Sequence, residues 1–556
     1  MKGLRQSSPG RLLLLVPLGY LAVFFLYPLA SILNRSLVVD GWIDLGAFRA
    51  ILGDSYYLGR IWFTTWQAMV STALAVALGL PAAYLFARYE FPGKSVLKAL
   101  TTVPFVMPTI VVAMGFVALL GPAGIVNNLL TAVFGLDDPP VRVMNTLAII
   151  FMAHAFYNYS IVVRMVSSLW ANLDPRVEET AAVLGAGRWR RFYHVTLPLL
   201  LPAIASATLL AFMFSFTSFG VVLVLGGPQF ATLEVEIYEL SAKLFRLPLA
   251  GALAVVQLAF TYLFLLLYAR LQQRTAVSVE LRPRAMTARH RLRVRDRVFI
   301  GAMVVYLLLL LSPLAALLVR ALTVDGGFSH AHVANLFSNE HGSYFYQSPI
   351  AIAWNSVRFA LATVAVSLAV GTIVAYFLAR SRRGASALDA LLMLPLGVSA
   401  VTLGFGFIIT MNRPPIDLRG SWLILVIAHS LVAYPFVVRS LLPVMRAMNP
   451  NLREVAAMLG ASPAMAFLRV DLPIIAPALV VGATFAFAVS MGEFGASLLL
   501  VRPEFTTMPV AIFRYLGLPG EANLSSALAM SSLLMVVVAA GFVLIERFRY
   551  RGAGAF

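Results

Sequence analysis

Apolar runs of about the length a helix needs to cross a bilayer, roughly 20 residues, recur along the chain. They lie near 12–33, 62–87, 99–121, 145–169, 198–222 and 250–269, and again near 298–319, 352–379, 388–410, 422–445, 473–499 and 525–545. The pattern predicts twelve membrane helices in two sets of six. The first run follows Lys2, Arg5 and Arg11 and extends from Leu12 to Leu33. It is longer than the apolar core of a signal peptide and lacks a small-x-small cleavage site, so it reads as an uncleaved first helix.

Composition removes the alternatives to a membrane protein. Of 556 residues, 60% are hydrophobic and 12% charged, and the mean hydropathy is +0.88. A soluble protein of this size cannot cover so much apolar surface with so few charges. Lys and Arg number 42 against 24 Asp and Glu, a net charge of +18. On a soluble chain that excess would suggest nucleic acid, but here the basic residues sit between apolar runs as loop anchors. No cysteine is present, which excludes disulfides, thiolate metal sites and cysteine nucleophiles.

Basic residues also set the direction of the chain. Arg88, Lys94 and Lys98 follow the second run; Arg176, Arg188, Arg190 and Arg191 follow the fourth; nine arginines lie between 270 and 297. The second half repeats the bias at Arg380, Arg382 and Arg383, at Arg446, Arg453 and Arg469, and at Arg547, Arg549 and Arg551. These loops and both termini are expected to be cytoplasmic.

The two halves repeat each other. His154 and Arg164 recur 275 residues later as His429 and Arg439, and ETAAVLGA at 179–186 recurs as EVAAMLGA at 454–461. The same offset carries Leu197-Pro198 onto Leu472-Pro473 and Phe219-Gly220 onto Phe494-Gly495. An even number of spans per half gives both copies one orientation, a parallel repeat about an axis along the membrane normal. The expected organisation is a first six-span module at 1–272, a basic cytoplasmic linker at 273–296 and a second six-span module at 297–556.

The loop at 177–204 and its copy at 452–479 are the most informative stretches. Glu179, Ala182 and Val183 share one side of a short helix, Gly185 and Gly187 can turn the chain, and the prolines of L-P-x-x-x-P open the next membrane segment. The product is an L-shaped projection, suited to a lever pushed by a soluble partner. One such loop could merely pack on its neighbours; two in register argue for a shared task.

These residues resemble the permease subunits of binding-protein-dependent ABC importers, marked by a loop of the form E-A-A-x-x-x-G followed by L-P. Glu179, Ala181, Ala182, Gly185, Leu197 and Pro198 match it, as do Glu454, Ala456, Ala457, Gly460, Leu472 and Pro473; Thr180 and Val455 depart from it. The resemblance implies an all-α polytopic membrane protein of about 12 transmembrane helices, two parallel six-helix repeats of the type I, MetI-like permease fold. It also implies coupling helices that dock on two ATP-binding subunits, and an extracytoplasmic substrate-binding protein as a further partner. Two modules in one chain resemble the iron(III)- and thiamine-importing branch. No GxxxxGK[ST] loop occurs, so the chain is expected to be a non-catalytic subunit of a prokaryotic inner membrane. It would bind no cofactor, metal or nucleic acid, with ATP and Mg on the partners and lipid around it.

Polar groups at membrane depth are the candidates for the pathway: His154, Asn158, Ser218, His429, Tyr434 and Glu493, with Tyr157, Tyr159, Ser215, Thr217 and Ser490 nearby. Taken singly, each is as well explained by hydrogen bonding inside the bundle. Arg164 and Arg439 either snorkel to headgroups or pair with a loop acid. The stretches 218–241 and 493–516 resemble thiamine and iron(III) permeases respectively, which leaves those two substrates level and polyamines or phosphonates open. The competing class is a proton- or sodium-coupled secondary transporter, for which Glu493 is the clearest candidate coupling acid.

Overall fold

The computed structural model describes residues 8–275, except 40, and 293–552, except 325–326, 330–333, 335, 338–346, 381–384, 414–415 and 450. Most of the expected linker, 276–292, therefore lies outside the described residues. The described residues are helical, with three two-residue antiparallel hairpins among them: Val38–Val39 with Trp42–Ile43, Thr323–Val324 with Gly327–Phe328, and Asn412–Arg413 with Ile416–Asp417.

Among the described residues, ten helices are long and apolar enough to cross a membrane, and an eleventh is bent. In lipid every backbone N–H and C=O must be satisfied within the protein, which is why runs this apolar become helices. The helices Ser55–Arg88 and Pro349–Arg380 have 34 and 32 residues. At ~1.5 Å per residue each is about 50 Å long and outreaches the hydrocarbon core. Asp54 caps the first of them, its carboxylate accepting the Tyr56 N–H at 2.9 Å.

Proline explains where the helices depart from the expected spans. The run at 298–319 is a bent pair, Val294–Leu310 and Ser312–Ala321, at 51°, with Pro313 opening the second piece. The run at 388–410 is three pieces: Ala385–Leu392, a 3-10 turn Leu394–Gly397 containing Pro395, and Ala400–Thr410. It contains no helix long enough to span. In the first half Pro104 and Pro108 likewise break the run at 99–121, and the membrane-length segment is Thr109–Phe134, two helices, Thr109–Leu120 and Ile125–Phe134, joined by a turn.

The first helix of each half packs against the other half. Pro28 lies against the helix Ala400–Thr410, where a Cβ on Gly406 would meet the Pro28 Cβ at 2.9 Å. Reciprocally, a Cβ on Gly115 would meet the Pro313 carbonyl oxygen at 2.9 Å. Glycine is required at both crossings because no side chain fits between the backbones. Leu21 and Phe25 accordingly belong to the core of the second half, and Ile300, Met303 and Leu307 share a core cluster with Met114, Phe116 and Ile150 of the first. The Tyr20 hydroxyl adds a bond across the same boundary, donating to the Ile427 carbonyl at 3.2 Å.

Candidate functional site: two loops and a cavity between the halves

The first loop begins at Asp174, which accepts the Arg176 N–H at 3.0 Å and starts the helix Pro175–Val183. It ends at Gly185 with φ +82°, and the Ala186 N–H returns to the Ala181 carbonyl at 3.0 Å. The second loop repeats this closure: the helix Asn451–Met458, Gly460 at φ +81° and the Ala461 N–H on the Ala456 carbonyl at 3.0 Å. This is the six-to-one bond of a Schellman turn, which needs a left-handed residue. It gives Ala181, Ala456, Gly185 and Gly460 of the motif their local roles. Glu179 and Glu454 stand exposed, as do Ala182 and Ala457.

Each loop carries an apolar tip turned away from the bundle. Val183 and Leu184 are 88% and 82% exposed, Met458 and Leu459 79% and 83%. The flanks differ: Trp189 and Tyr193 stack beside the arginines of the first loop, whereas Met465 and Leu468 stand exposed on the second.

The L-P pairs do not open the next membrane helix as expected. Continuous helices run from Arg188 to Phe216 and from Pro463 to Gly492. A π turn, Phe192–Thr196 or Phe467–Asp471, comes directly before Leu197-Pro198 and Leu472-Pro473. Widening the turn there accommodates the proline, which has no N–H to give.

Acids that the sequence reading passed over anchor both loops. Glu178 pairs with Arg88 at the end of a membrane helix and accepts the Thr196 hydroxyl at 2.9 Å. At the positions 275 later, Arg453 donates through Nε to Asp471 Oδ1 at 2.7 Å and lies 5.5 Å from the Tyr376 ring, over which Arg380 also sits, at 3.9 Å. The tie between first and last turns of the loop is kept while its charges are exchanged. Arg439, for which a loop acid was one expected partner, lies 3.9 Å from Asp389 instead.

A cavity of about 300 Å³ lies between the halves. His154, Asn158, Ser218 and Glu493 border it, together with Tyr157 and Thr217; His429 and Tyr434 are not among its lining residues. His154 has Nδ1 3.1 Å from Ser71 Oγ and Nε2 2.7 Å from Ser218 Oγ. His429 has Nδ1 2.8 Å from Ser490 Oγ and Nε2 2.8 Å from Ser497 Oγ. Both imidazoles are thus engaged at both nitrogens. Asn158 donates to Ser215 Oγ at 2.9 Å, and the Tyr434 hydroxyl donates to the Leu392 carbonyl.

The helices ahead of the cavity end at Phe216 and Gly492, short of the expected 222 and 499, and short helices Gly220–Leu225 and Gly495–Leu500 follow. Glu493 holds the second break. Its carboxylate accepts the N–H groups of Ala496 and Ser497, both at 2.9 Å, and lies 3.3 Å from His429 Nε2. Glu234, the acid of the T-x-E-x-x-I-Y run within the 218–241 stretch, also lines the cavity, as does Ser399, which nothing in the sequence singles out. Glu234 is buried and accepts from Gln257 and from the Ser399 hydroxyl, so a carboxylate of the first half is tied to the second. Of the two acids in LEVEIY, nothing in the sequence shows that Glu234 is the one a distant serine meets.

Comparison with known proteins finds relatives of one kind by sequence. Residues 75–277 match the family described as binding-protein-dependent transport system inner membrane component. The chain is 28% identical over 513 residues to the thiamine transport system permease protein ThiP of Brucella abortus (strain 2308), covering 90% of this chain and 89% of that one. It is 26% identical over 506 residues to the ferric transport system permease protein FbpB of Actinobacillus pleuropneumoniae, covering 88% and 71%. Among solved structures, a chain of a bacterial alginate ABC transporter in complex with an alginate-bound periplasmic protein matches 47% of this chain and 92% of its own, at 19% identity and a TM-score of 0.41. With a family match over residues 75–277 and permease relatives aligned over about nine-tenths of its length, the chain is a multi-span membrane protein similar to the permease subunits of binding-protein-dependent importers.

Proposed function

We propose that this chain forms the whole translocation pathway of an ATP-driven importer in a prokaryotic inner membrane. Two parallel six-span repeats, 1–272 and 297–556, of the type I permease fold enclose the path, with both termini and the 273–296 linker cytoplasmic. A small solute arrives from an extracytoplasmic binding protein. The names of the relatives make thiamine or a related compound and iron(III) the leading substrates.

The observation that carries this reading is the pair of exposed apolar tips, Val183-Leu184 and Met458-Leu459, on helices closed by the same turn 275 residues apart. An apolar projection held on a rigid turn is a contact surface awaiting a partner. Two of them suit two ATP-binding subunits, on which ATP and Mg would reside. Glu179, Ala182, Glu454 and Ala457 would lie in the contacts, and the differing flanks at 188–193 and 463–468 make the two contacts non-equivalent.

The test is reconstitution with the ATP-binding subunits and the binding protein in liposomes, following uptake and ATP hydrolysis together. Glu179→Arg with Glu454→Arg is expected to cut uptake at least tenfold while hydrolysis continues. Uptake at the wild-type rate in that double variant overturns the coupling role of the loops.

A further inference from the structure

We propose that Glu234 is the charge-selecting residue of the central cavity, and that the cavity takes an organic cation with an aromatic or flat apolar body rather than a bare metal ion. The inference rests on the importer reading and names the substrate class of that same pathway.

The two acids bordering the cavity are not alike. Glu493 is compensated by two backbone N–H groups, the Ser497 hydroxyl and His429. Glu234 is 1% exposed and has only neutral partners, Gln257 and Ser399. Among the described residues, no Lys or Arg borders the cavity and no basic side chain comes within ion-pair distance of Glu234. A carboxylate withdrawn from water without a cation is costly, and a positively charged solute would offset that cost.

The second observation concerns the walls. Phe105, Tyr157, Phe214, Phe436 and Phe485 line the same space, and aromatic faces attract cations. The unpartnered buried polar atoms nearby are acceptors: Asn158 Oδ1, of a lining residue, and Gln257 Oε1, of a Glu234 partner. They favour a ligand that donates hydrogen bonds. A hard trivalent metal needs several oxygen ligands at once, and among the described residues no three of His, Cys, Asp and Glu come together.

The sequence repeat shows that this charge is an addition and not a product of the fold. The position 275 after Glu234 is Pro509, so the second half, built on the same plan, supplies no matching carboxylate.

The experiment measures equilibrium binding to the purified full-length chain in nanodiscs at pH 8. The probes are thiamine, N-benzylpyridinium, the uncharged 4-benzylpyridine and iron(III) citrate. Wild-type protein is expected to bind the two organic cations at least tenfold more tightly than 4-benzylpyridine. Glu234→Gln keeps the size of the side chain and its capacity to hydrogen-bond, and is expected to abolish that preference; Glu234→Asp should retain most of it. Glu236→Gln, on the same short helix but paired with Tyr56 and Arg60, is expected to leave the preference within twofold of wild type. Melting curves of each variant show whether it is folded. The proposal is overturned if wild-type protein shows no cation preference, if Glu234→Gln keeps it, or if iron(III) binds in a Glu234-dependent way. Loss of ATP-driven uptake in the separate liposome assay would strike the importer reading alone, since binding in nanodiscs does not require ATP.

Discussion

Phe219 and Phe494, residues 275 apart in a chain that repeats at that interval, pack against each other in a tilted pair with ring centroids 5.4 Å apart. Equivalent residues that touch each other lie at the line about which two copies are related, as at any interface built from one surface used twice. Both rings border the cavity, and each precedes the glycine that opens a short helix, Gly220 or Gly495. The rings therefore hold the two broken helices together at the cavity wall.

A double-mutant cycle on this pair follows. Phe219→Ala and Phe494→Ala are each expected to destabilise the protein. Their effects should be non-additive by about 0.5–1.5 kcal/mol, the usual worth of an aromatic pair beyond its buried area. Denaturant melts of the two single variants and the double variant give the coupling. Additive losses would show that the rings are neighbours without being partners.

The charge exchange between loops gives a second expectation. Asp471 is the buried member of its pair, 4% exposed against 29% for Arg453. Asp471→Ala leaves the arginine without its acid and should lower stability by about 1–3 kcal/mol, below the full cost of breaking a wholly buried pair because Arg453 reaches water. Arg453→Glu with Asp471→Thr rebuilds the first loop's chemistry in the second, with Arg380, over the Tyr376 ring at the end of the corresponding helix, in the place of Arg88. Melting temperature should recover in that double variant and fall again when Arg380→Ala is added.

The loop turns permit a test that separates strain from crowding. Gly185 and Gly460 have positive φ and nothing within 4 Å of a built Cβ. Alanine there costs about 1–2 kcal/mol through the backbone alone, asparagine less, and valine more. Amide exchange at Ala186 and Ala461, whose N–H groups close the turns, should rise from the asparagine to the alanine to the valine variant. Equal protection in all three variants would mean that contacts elsewhere hold the loop shape.

Much of this architecture is legible in the sequence because two chemistries leave periodic marks. Twenty apolar residues in a row read directly as a membrane helix, and the 275-residue register pairs the loops and the two histidines before any coordinates are seen. Proline context was harder. Pro198 looks like a helix opener, yet the helix begins ten residues earlier because a π turn relieves the missing hydrogen bond. Pro395 and Pro313 look tolerable inside apolar runs and instead divide them. The anchoring acids were missed for a different reason: Glu178 sits beside the motif residue Glu179, and only the fold shows that the first binds Arg88 while the second faces outward. Glu234 stands in a recognisable T-x-E-x-x-I-Y run, but its burial and its place at the cavity depend on Ser399, 165 residues away and in the other half.

The crossing of the first helices has a consequence for how the chain is made. Pro28 leaves the ribosome roughly 380 residues before Gly406, the residue whose missing side chain makes room for it. At a synthesis rate of about 5–20 residues per second, that helix waits on the order of tens of seconds in the bilayer without its partner. The first half thus cannot reach its final packing on its own timetable. It completes only when the second half arrives, and the second half meets a partner already tethered beside it. Covalent fusion turns what would be a search between two chains into a closing step within one, and it fixes which two halves embrace.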